Sequence, residues 1–196
     1  MKIYLLRHEE RDKNNVFFRA SLNQEGVRRA NEELKEFIRF IDPKYTYCSP
    51  FIRALQTITP YLRSYKKNGT INVDYGIAES LNSPLFSNPY NQNFLLKGEE
   101  EIRYYVNTNY ISSVEPNSYK YVGKEHEEEA LEKRVLHFIQ KLKANHHVNE
   151  TIMICSHQST LNMFIRKYFG IEREIDADFG MGKVGYVENN QVLFLN

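Results

Sequence analysis

Short apolar runs recur along the chain at Lys2–Leu6, Tyr45–Cys48, Ile71–Val73 and Thr151–Cys155. Runs of this length read as strands, and the last is apolar enough to be buried on both faces. Between them the apolar positions fall at helical spacing. Val27, Ala30, Leu34, Phe37, Ile38 and Ile41 form one stripe, which predicts a helix from about Asn23 to Ile41. Asn23 suits its N-cap, and Asp42-Pro43 stops it. Leu55, Ile58 and Leu62 mark a second helix. Ser49 is expected to cap it with Pro50 in its first turn, and Pro60 to kink it or end it early. Leu131, Val135, Phe138, Ile139 and Leu142 mark a third over Glu125–Ala144. Leu161, Phe164, Ile165 and Tyr168 mark a fourth, closed by Gly170. Val184–Val187, Asn189-Asn190 and Val192–Leu195 read as a hairpin.

Strand and helix alternate, so the expected fold is α/β: a three-layer α/β/α sandwich around a mostly parallel sheet. The 196 residues suit a single domain spanning 1–196. Between Leu81 and Lys124 the periodicity breaks down, with a small helix over Glu99–Asn107 at most. This stretch, 81–124, reads as an inserted lid or substrate-facing segment. Its tyrosines, Tyr104, Tyr105, Tyr110, Tyr119 and Tyr121, read mostly as packing residues.

Composition narrows the field. Lys and Arg number 26 against 25 Asp and Glu, so nothing favours a nucleic-acid partner. No apolar stretch is long enough to span a bilayer, and the N-terminal run is too short for a signal peptide. The two cysteines, Cys48 and Cys155, end predicted strands and read as reduced, buried thiols. The expectation is a cytoplasmic protein without a membrane partner.

Four strand ends carry chemistry: Arg7-His8, Ser49-Pro50 followed by Arg53, Glu79, and Ser156-His157. In open α/β sheets ligands bind at the strands' carboxyl edge. Two arginines, two histidines and a carboxylate brought there suit a phosphate. Guanidinium forks match phosphate oxygens. An imidazole among arginines stays neutral and nucleophilic, and a carboxyl can protonate a departing alcohol. A cysteine-dependent phosphatase would need an arginine at a spacing that neither Cys48 nor Cys155 has. Neither His146-His147 nor His126 has the spacing of a closed metal-ligand set.

In their order, these motifs resemble those of the histidine phosphatase superfamily, the phosphoglycerate mutase-like proteins. Leu6-Arg7-His8-Glu9-Glu10 is similar to that family's Arg-His-Gly-Glu signature. Ser21–Gly26 with Ala30 is similar to its Leu-Thr-x-x-Gly-x-x-x-Ala helix start. Cys48–Thr57 resembles Ser-Ser-Pro-x-x-Arg-Ala-x-Gln-Thr, and Ile77-Ala78-Glu79 stands where Leu-x-Glu is expected. Lys124–His126 leading to Arg134-Val135 resembles the segment before the last long helix, and Ile154–His157 resembles Val-Ser-His-Gly. The match covers most of residues 1–170.

The resemblance implies a metal-independent phosphatase, without cofactor, that hydrolyses phosphate monoesters through a phosphohistidine on His8. Arg7, Arg53 and His157 would hold the phosphoryl group, and Glu79 would be the general acid. Arg11 and Gln158 would join Arg7, Arg53 and His157 in binding substrate. The substrate would be a phosphorylated small molecule or a phosphoprotein. The resemblance leaves two alternatives: a phosphoglycerate mutase-type phosphoryl transfer, and a catalytically weak member that binds phospho-ligands. The short link from His8 to Leu22 looks more like the phosphatases than the mutases. The case for weakness rests on Glu9, which stands where the family has Gly. A carboxylate in the pocket at about 4–5 Å from the phosphate would cost on the order of 3–4 kcal/mol at an effective dielectric near 20. Gln158 is a second departure, since Gly usually follows the second histidine.

Overall fold

The computed structural model describes residues 1–12, 14, 20–66, 68–81, 100–171, 177–188 and 191–196. Six strands form one sheet: β1 (Lys2–Arg7), β2 (Tyr45–Cys48), β3 (Ile71–Val73), β4 (Thr151–Ser156), β5 (Val184–Glu188) and β6 (Gln191–Phe194). Their order is β3-β2-β4-β1-β5-β6. β3, β2, β4 and β1 run parallel, and β5 and β6 are antiparallel. The expected α/β architecture with a mostly parallel sheet is what the chain adopts.

Alternation along the inner strands explains the layers. Ile3, Leu5, Ile152 and Ile154 pack on one side with Leu131, Val135, Phe138, Leu161 and Phe164. Tyr4, Leu6, Met153 and Cys155 pack on the other with Leu34, Ile38, Leu55 and Ile58. Both faces of the sheet are therefore covered, as parallel strands require.

Four helical segments do most of that covering. The first, α1, is a continuous run whose ends are α-helical, Gln24–Arg29 and Lys35–Ile41, around a π-helical stretch, Ala30–Leu34. Asn23 caps it as expected, its side chain accepting from Gly26 N at 2.7 Å. α2 spans Ile52–Tyr65. The expectation for its start needs correction: the cap position is Phe51, and Ser49 is spent elsewhere. Pro60 neither ends nor shortens it, and the helix runs on to Tyr65. A short helix, α3 (Glu100–Tyr105), packs on α2 through an ion pair between Arg63 and Glu101 at 2.7 Å. Val106 then bridges to Ile71 beside β3. α4 (Glu127–Asn145) follows a 3-10 turn over Lys124–His126, two residues later than expected. α5 (Gln158–Phe169) ends at Gly170 in the left-handed region, φ 68°. Among the described residues no helix is long and apolar enough to cross a membrane.

Several expectations fall outside the described residues. They are Phe17-Phe18 of the first loop, part of the Lys66–Gly69 turn, the Asn189-Asn190 turn, and residues 82–99 of the 81–124 insertion.

Candidate active site

Parallel order brings the carboxyl ends of β1, β2 and β4 side by side. Arg7 pairs with Ser156 across β1 and β4, and Cys48 with Cys155 across β2 and β4. The residue after each strand end therefore enters one cleft. Two helices also begin there: α2, with Arg53 in its first turn, and α5, immediately after His157. Helix N-termini favour anions, so a cation in the first turn of α2 lacks the usual dipole benefit and needs an anionic partner.

His8 is 3% exposed. Its Nδ1 lies 2.7 Å from the Glu9 carbonyl, which can only accept, so Nδ1 carries the ring proton. Nε2 then keeps its lone pair, and Arg53 Nε donates to it at 3.2 Å. Burial pushes the His8 imidazole well below its usual range, and His157 and Arg53 push in the same direction. The ring is neutral at pH 7.

Arg53 is 1% exposed. Its guanidinium lies over the Phe51 ring at 4.4 Å, with Nη2 on Glu79 Oε2 at 3.2 Å. Arg7 donates from Nη1 to Gln158 Oε1 at 2.7 Å and to the Phe179 carbonyl. His157 Nε2 meets Ser49 Oγ at 2.8 Å, and Nδ1 lies 2.9 Å from Glu79 Oε2. The second contact is a close charge pairing that is not aligned as a hydrogen bond. Burial lowers the basicity of His157, which the neighbouring Glu79 offsets only in part. Arg7 Nε, Arg53 Nη1 and His157 Nδ1 are all buried without a hydrogen-bond partner among the described residues.

Glu79 follows a 3-10 turn, Tyr75–Ile77, beyond β3. Its side chain is 22% exposed. Burial alone would raise its carboxyl, but His157, Arg53 and His8 outweigh burial and hold it well below the usual carboxylate range. Ser159 Oγ and Ser80 N donate to Oε1, each at 3.2 Å. Arg7, His8, Glu79, Gln158, Ser159 and Asn162 line a cleft of about 340 Å³.

Arg11 stands in the loop after β1, bridged to Leu22, with Nη1 on the Asp12 carbonyl at 3.4 Å. Burial lowers the basicity of Arg7 and Arg53, and the Arg11 charge adds to this in both. Glu9 does not enter the cleft. Its carboxylate is 2% exposed and lies 3.6 Å from Arg29, accepting from Glu10 N at 3.3 Å. Gly182, at φ +69°, leaves the room: a Cβ there would come within 1.9 Å of Glu9 Oε1. The Glu9 backbone serves the site, since its carbonyl holds His8 and its N–H donates to Thr57 Oγ1 at 3.0 Å. Gln158 lines the cleft, and its side-chain carbonyl oxygen orients Arg7.

Sequence reasoning missed Ser159 and Asn162, and it placed Ser49 at a strand end without its contact to His157. Ser49 was spent on a helix cap in that reading. Asn162 had a visible signal, an amide inside the apolar run Leu161–Ile165.

His8, Glu79 and His157 each present a ligand atom within 4.8 Å of the others, close enough for a metal ion. The donor set argues otherwise. Arg53 donates to the very nitrogen of His8 that would bind metal, and Arg7 adds a second fixed positive charge to the same cleft.

The model of the histidine phosphatase superfamily (branch 1) matches residues 96–188. That stretch is just under half of the chain. The matched stretch contains His157 and Gln158 but not Arg7, His8, Arg53 or Glu79. Solved structures share the fold over the whole chain. The ecdysone phosphate phosphatase of Bombix mori is 15% identical at TM-score 0.66, covering 99% of this chain and 91% of that one. A putative alpha-ribazole-5'-P phosphatase of Escherichia coli is 19% identical at TM-score 0.64, covering 100% and 94%. A phosphoserine phosphatase of Entamoeba histolytica is 17% identical at TM-score 0.57, covering 100% and 95%. No curated protein matches the sequence.

Proposed function

We propose that this protein is a metal-independent phosphatase that hydrolyses phosphate monoesters through a phosphohistidine on His8. One observation carries the reading. A neutral imidazole with its Nε2 lone pair free of a proton faces a cage in which Arg7 Nε and Arg53 Nη1 have no hydrogen-bond partner among the described residues and His157 Nδ1 has only a misaligned contact with Glu79. Buried donors without acceptors are costly. A phosphoryl group supplies acceptors for all three.

In this reading Nε2 attacks phosphorus as the ester oxygen leaves, and Glu79 gives that oxygen its proton. Water then attacks the phosphohistidine, Glu79 takes the water's proton, and inorganic phosphate departs. Glu79 is ionised in the free site. A bound phosphate dianion offsets the positive charge of Arg53 and adds repulsion, so substrate binding raises the Glu79 carboxyl and lets it hold the proton it must deliver.

The position of Glu9 supports catalysis over phospho-ligand binding alone, because its charge lies against Arg29 rather than in the cleft. The polar side chains Gln158, Ser159 and Asn162 beside Glu79 suit a polar ester, in line with the ribazole phosphate and phosphoserine that name two of the similar structures.

The test is hydrolysis of p-nitrophenyl phosphate with and without EDTA, beside His8→Ala and a panel of sugar, nucleoside and peptide phosphates. The expected result is EDTA-insensitive turnover that His8→Ala abolishes. Full activity in a clean His8→Ala preparation overturns the reading, and phosphoglycerate mutase activity without hydrolysis replaces it.

A further inference from the structure

A buried ion pair outside the cleft has no part in the chemistry above. Glu127 and Arg134 face the same way on α4, 2% and 6% exposed, with Oε1 and Nη2 at 3.1 Å. A buried pair of this kind is weak as a stabiliser, so its contacts matter more than its existence. They converge on the residues that carry the general acid. Glu127 Oε1 accepts from Leu81 N at 2.7 Å and from Ser80 Oγ at 3.3 Å. Arg134 Nη2 donates to the Glu79 carbonyl at 3.5 Å, and Tyr119 Oη donates to the same carbonyl at 2.8 Å. The Arg134 guanidinium lies over the Tyr119 ring at 5.1 Å, which joins the two donors into one unit.

The preceding residues are held from the other side. Ser156 Oγ donates to the Ile77 carbonyl at 2.7 Å and Thr160 Oγ1 to the Ala78 carbonyl at 2.8 Å. From Ile77 to Leu81, then, the backbone is gripped by hydroxyls of β4 and α5 on one side and by α4 and Tyr119 on the other. α4 also presses directly on the turn before Glu79, where a Cβ on Gly76 would lie 2.9 Å from the Arg134 carbonyl.

We propose that Glu127 and Arg134, with Tyr119, are positioning residues that place the Glu79 carboxyl for proton delivery to the leaving oxygen. The inference rests on the phosphatase reading above. It implies that α4, which contributes no side chain to the described cleft lining, controls the acid step and leaves the nucleophile alone. A displacement of about 1 Å in a reacting group can cost on the order of 100-fold in rate. That loss falls on the step that needs the acid.

Leaving-group dependence tests this. A poor leaving group such as an alkyl phosphate needs the proton, whereas 2,4-dinitrophenolate departs without it. For Glu127→Gln, and separately Arg134→Lys and Tyr119→Phe, kcat is measured on both esters in the full-length protein, with the urea midpoint of each variant. The expected result is that the ratio of dinitrophenyl to alkyl turnover rises about tenfold or more in Glu127→Gln, by less in Tyr119→Phe, and that the alkaline limb of the alkyl-ester pH profile moves. Equal losses on both esters, tracking the urea midpoint, overturn the proposal and leave the pair a structural one. Tyr119→Phe removes one hydroxyl from a retained ring and keeps the question answerable should Glu127→Gln unfold. Absence of turnover in the wild type, or its survival in His8→Ala, counts instead against the phosphatase reading.

Discussion

Replacing Arg53 with Met separates the cost of the site from its use. The guanidinium is 2% exposed at the side chain, with Nη1 unpartnered. A buried donor left unsatisfied costs about 1–3 kcal/mol. Against this stand its ion pair with Glu79 at 3.2 Å, a partner 22% exposed and therefore partly screened, worth about 1 kcal/mol, and its hydrogen bond to His8 Nε2 at 3.2 Å, worth about 1 kcal/mol. Methionine is unbranched and apolar, so it can keep the contact with Phe51 while removing the unsatisfied donor. The expected net change in folding stability lies between a loss and a gain of about 1 kcal/mol. Activity goes the other way. Arg53 offers the phosphoryl group two charge-assisted contacts at about 1.5–3 kcal/mol each. Their loss lowers kcat/KM by roughly 10²–10⁴ at about 1.4 kcal/mol per factor of ten. The assay pairs p-nitrophenyl phosphate hydrolysis with urea unfolding on one preparation of Arg53→Met. If the variant stays within tenfold of wild type in kcat/KM, Arg53 is no phosphate clamp. If it loses more than about 2 kcal/mol of stability, the guanidinium is a structural element and the ledger above is wrong.

Two further outcomes depend on proton linkage. His8 has its folded-state pKa below the ordinary 6.5, so its contribution to stability is present above pH 6.5 and is lost as pH falls from there; the urea midpoint is expected to drop between pH 7 and 5, less steeply in His8→Asn, and identical slopes would refute this. Glu9 has the opposite sign: burial raises its carboxyl above the ordinary 4.5, so the folded state is favoured below pH 4.5 and loses that advantage as pH rises; Glu9→Gln is expected to match or exceed wild-type stability at pH 7 and to show no gain at pH 4, and an equal effect at both pH values would remove the buried charge as its cause.

Most of the fold was legible because its signals are local. The apolar run Thr151–Cys155 and the stripe from Leu131 to Leu142 each report burial through spacing alone, and both elements form within a residue or two of expectation. Pro60 does not end α2 early, because a proline only loses its own N–H and crowds the turn before it. α2 is buried along most of its length, from Arg53 to Leu62, and packing holds it together across that position. Ser49 misled as a helix cap. A Ser-Pro pair suits a helix start, but the helix begins after Phe51, and the Ser49 hydroxyl meets His157 Nε2 at 2.8 Å while accepting from Phe51 N at 3.4 Å. His8, Arg53, Glu79 and His157 could be assembled from sequence because each follows a strand end and parallel order makes strand ends converge. Ser159 and Asn162 lie two and five residues beyond His157 along α5, and only the docking of that helix brings them into one cleft with Glu79.

Glu9 shows where sequence reading stops. Residue type alone allowed two outcomes, a carboxylate facing the phosphate or one pointing away from the pocket, and the structure takes the second, with the carboxylate buried against Arg29. β1 ends at Arg7, and the chain turns so that the Glu9 carbonyl faces the His8 ring. That turn sends the side chain beneath the site, toward α1 and the loop before β5. There Arg29 balances its charge, and Arg29 also donates to the Met181 carbonyl at 3.3 Å beside Gly182. A glycine at position 9 would leave this volume empty. The bulky residue is accommodated by the bare Cα of Gly182 and by a cation one turn into α1, neither of which is near Glu9 in the sequence. The same backbone geometry that excludes the carboxylate from the phosphate also fixes the proton on His8 Nδ1, so the feature that looked like a threat to the nucleophile is bound up with what keeps Nε2 free.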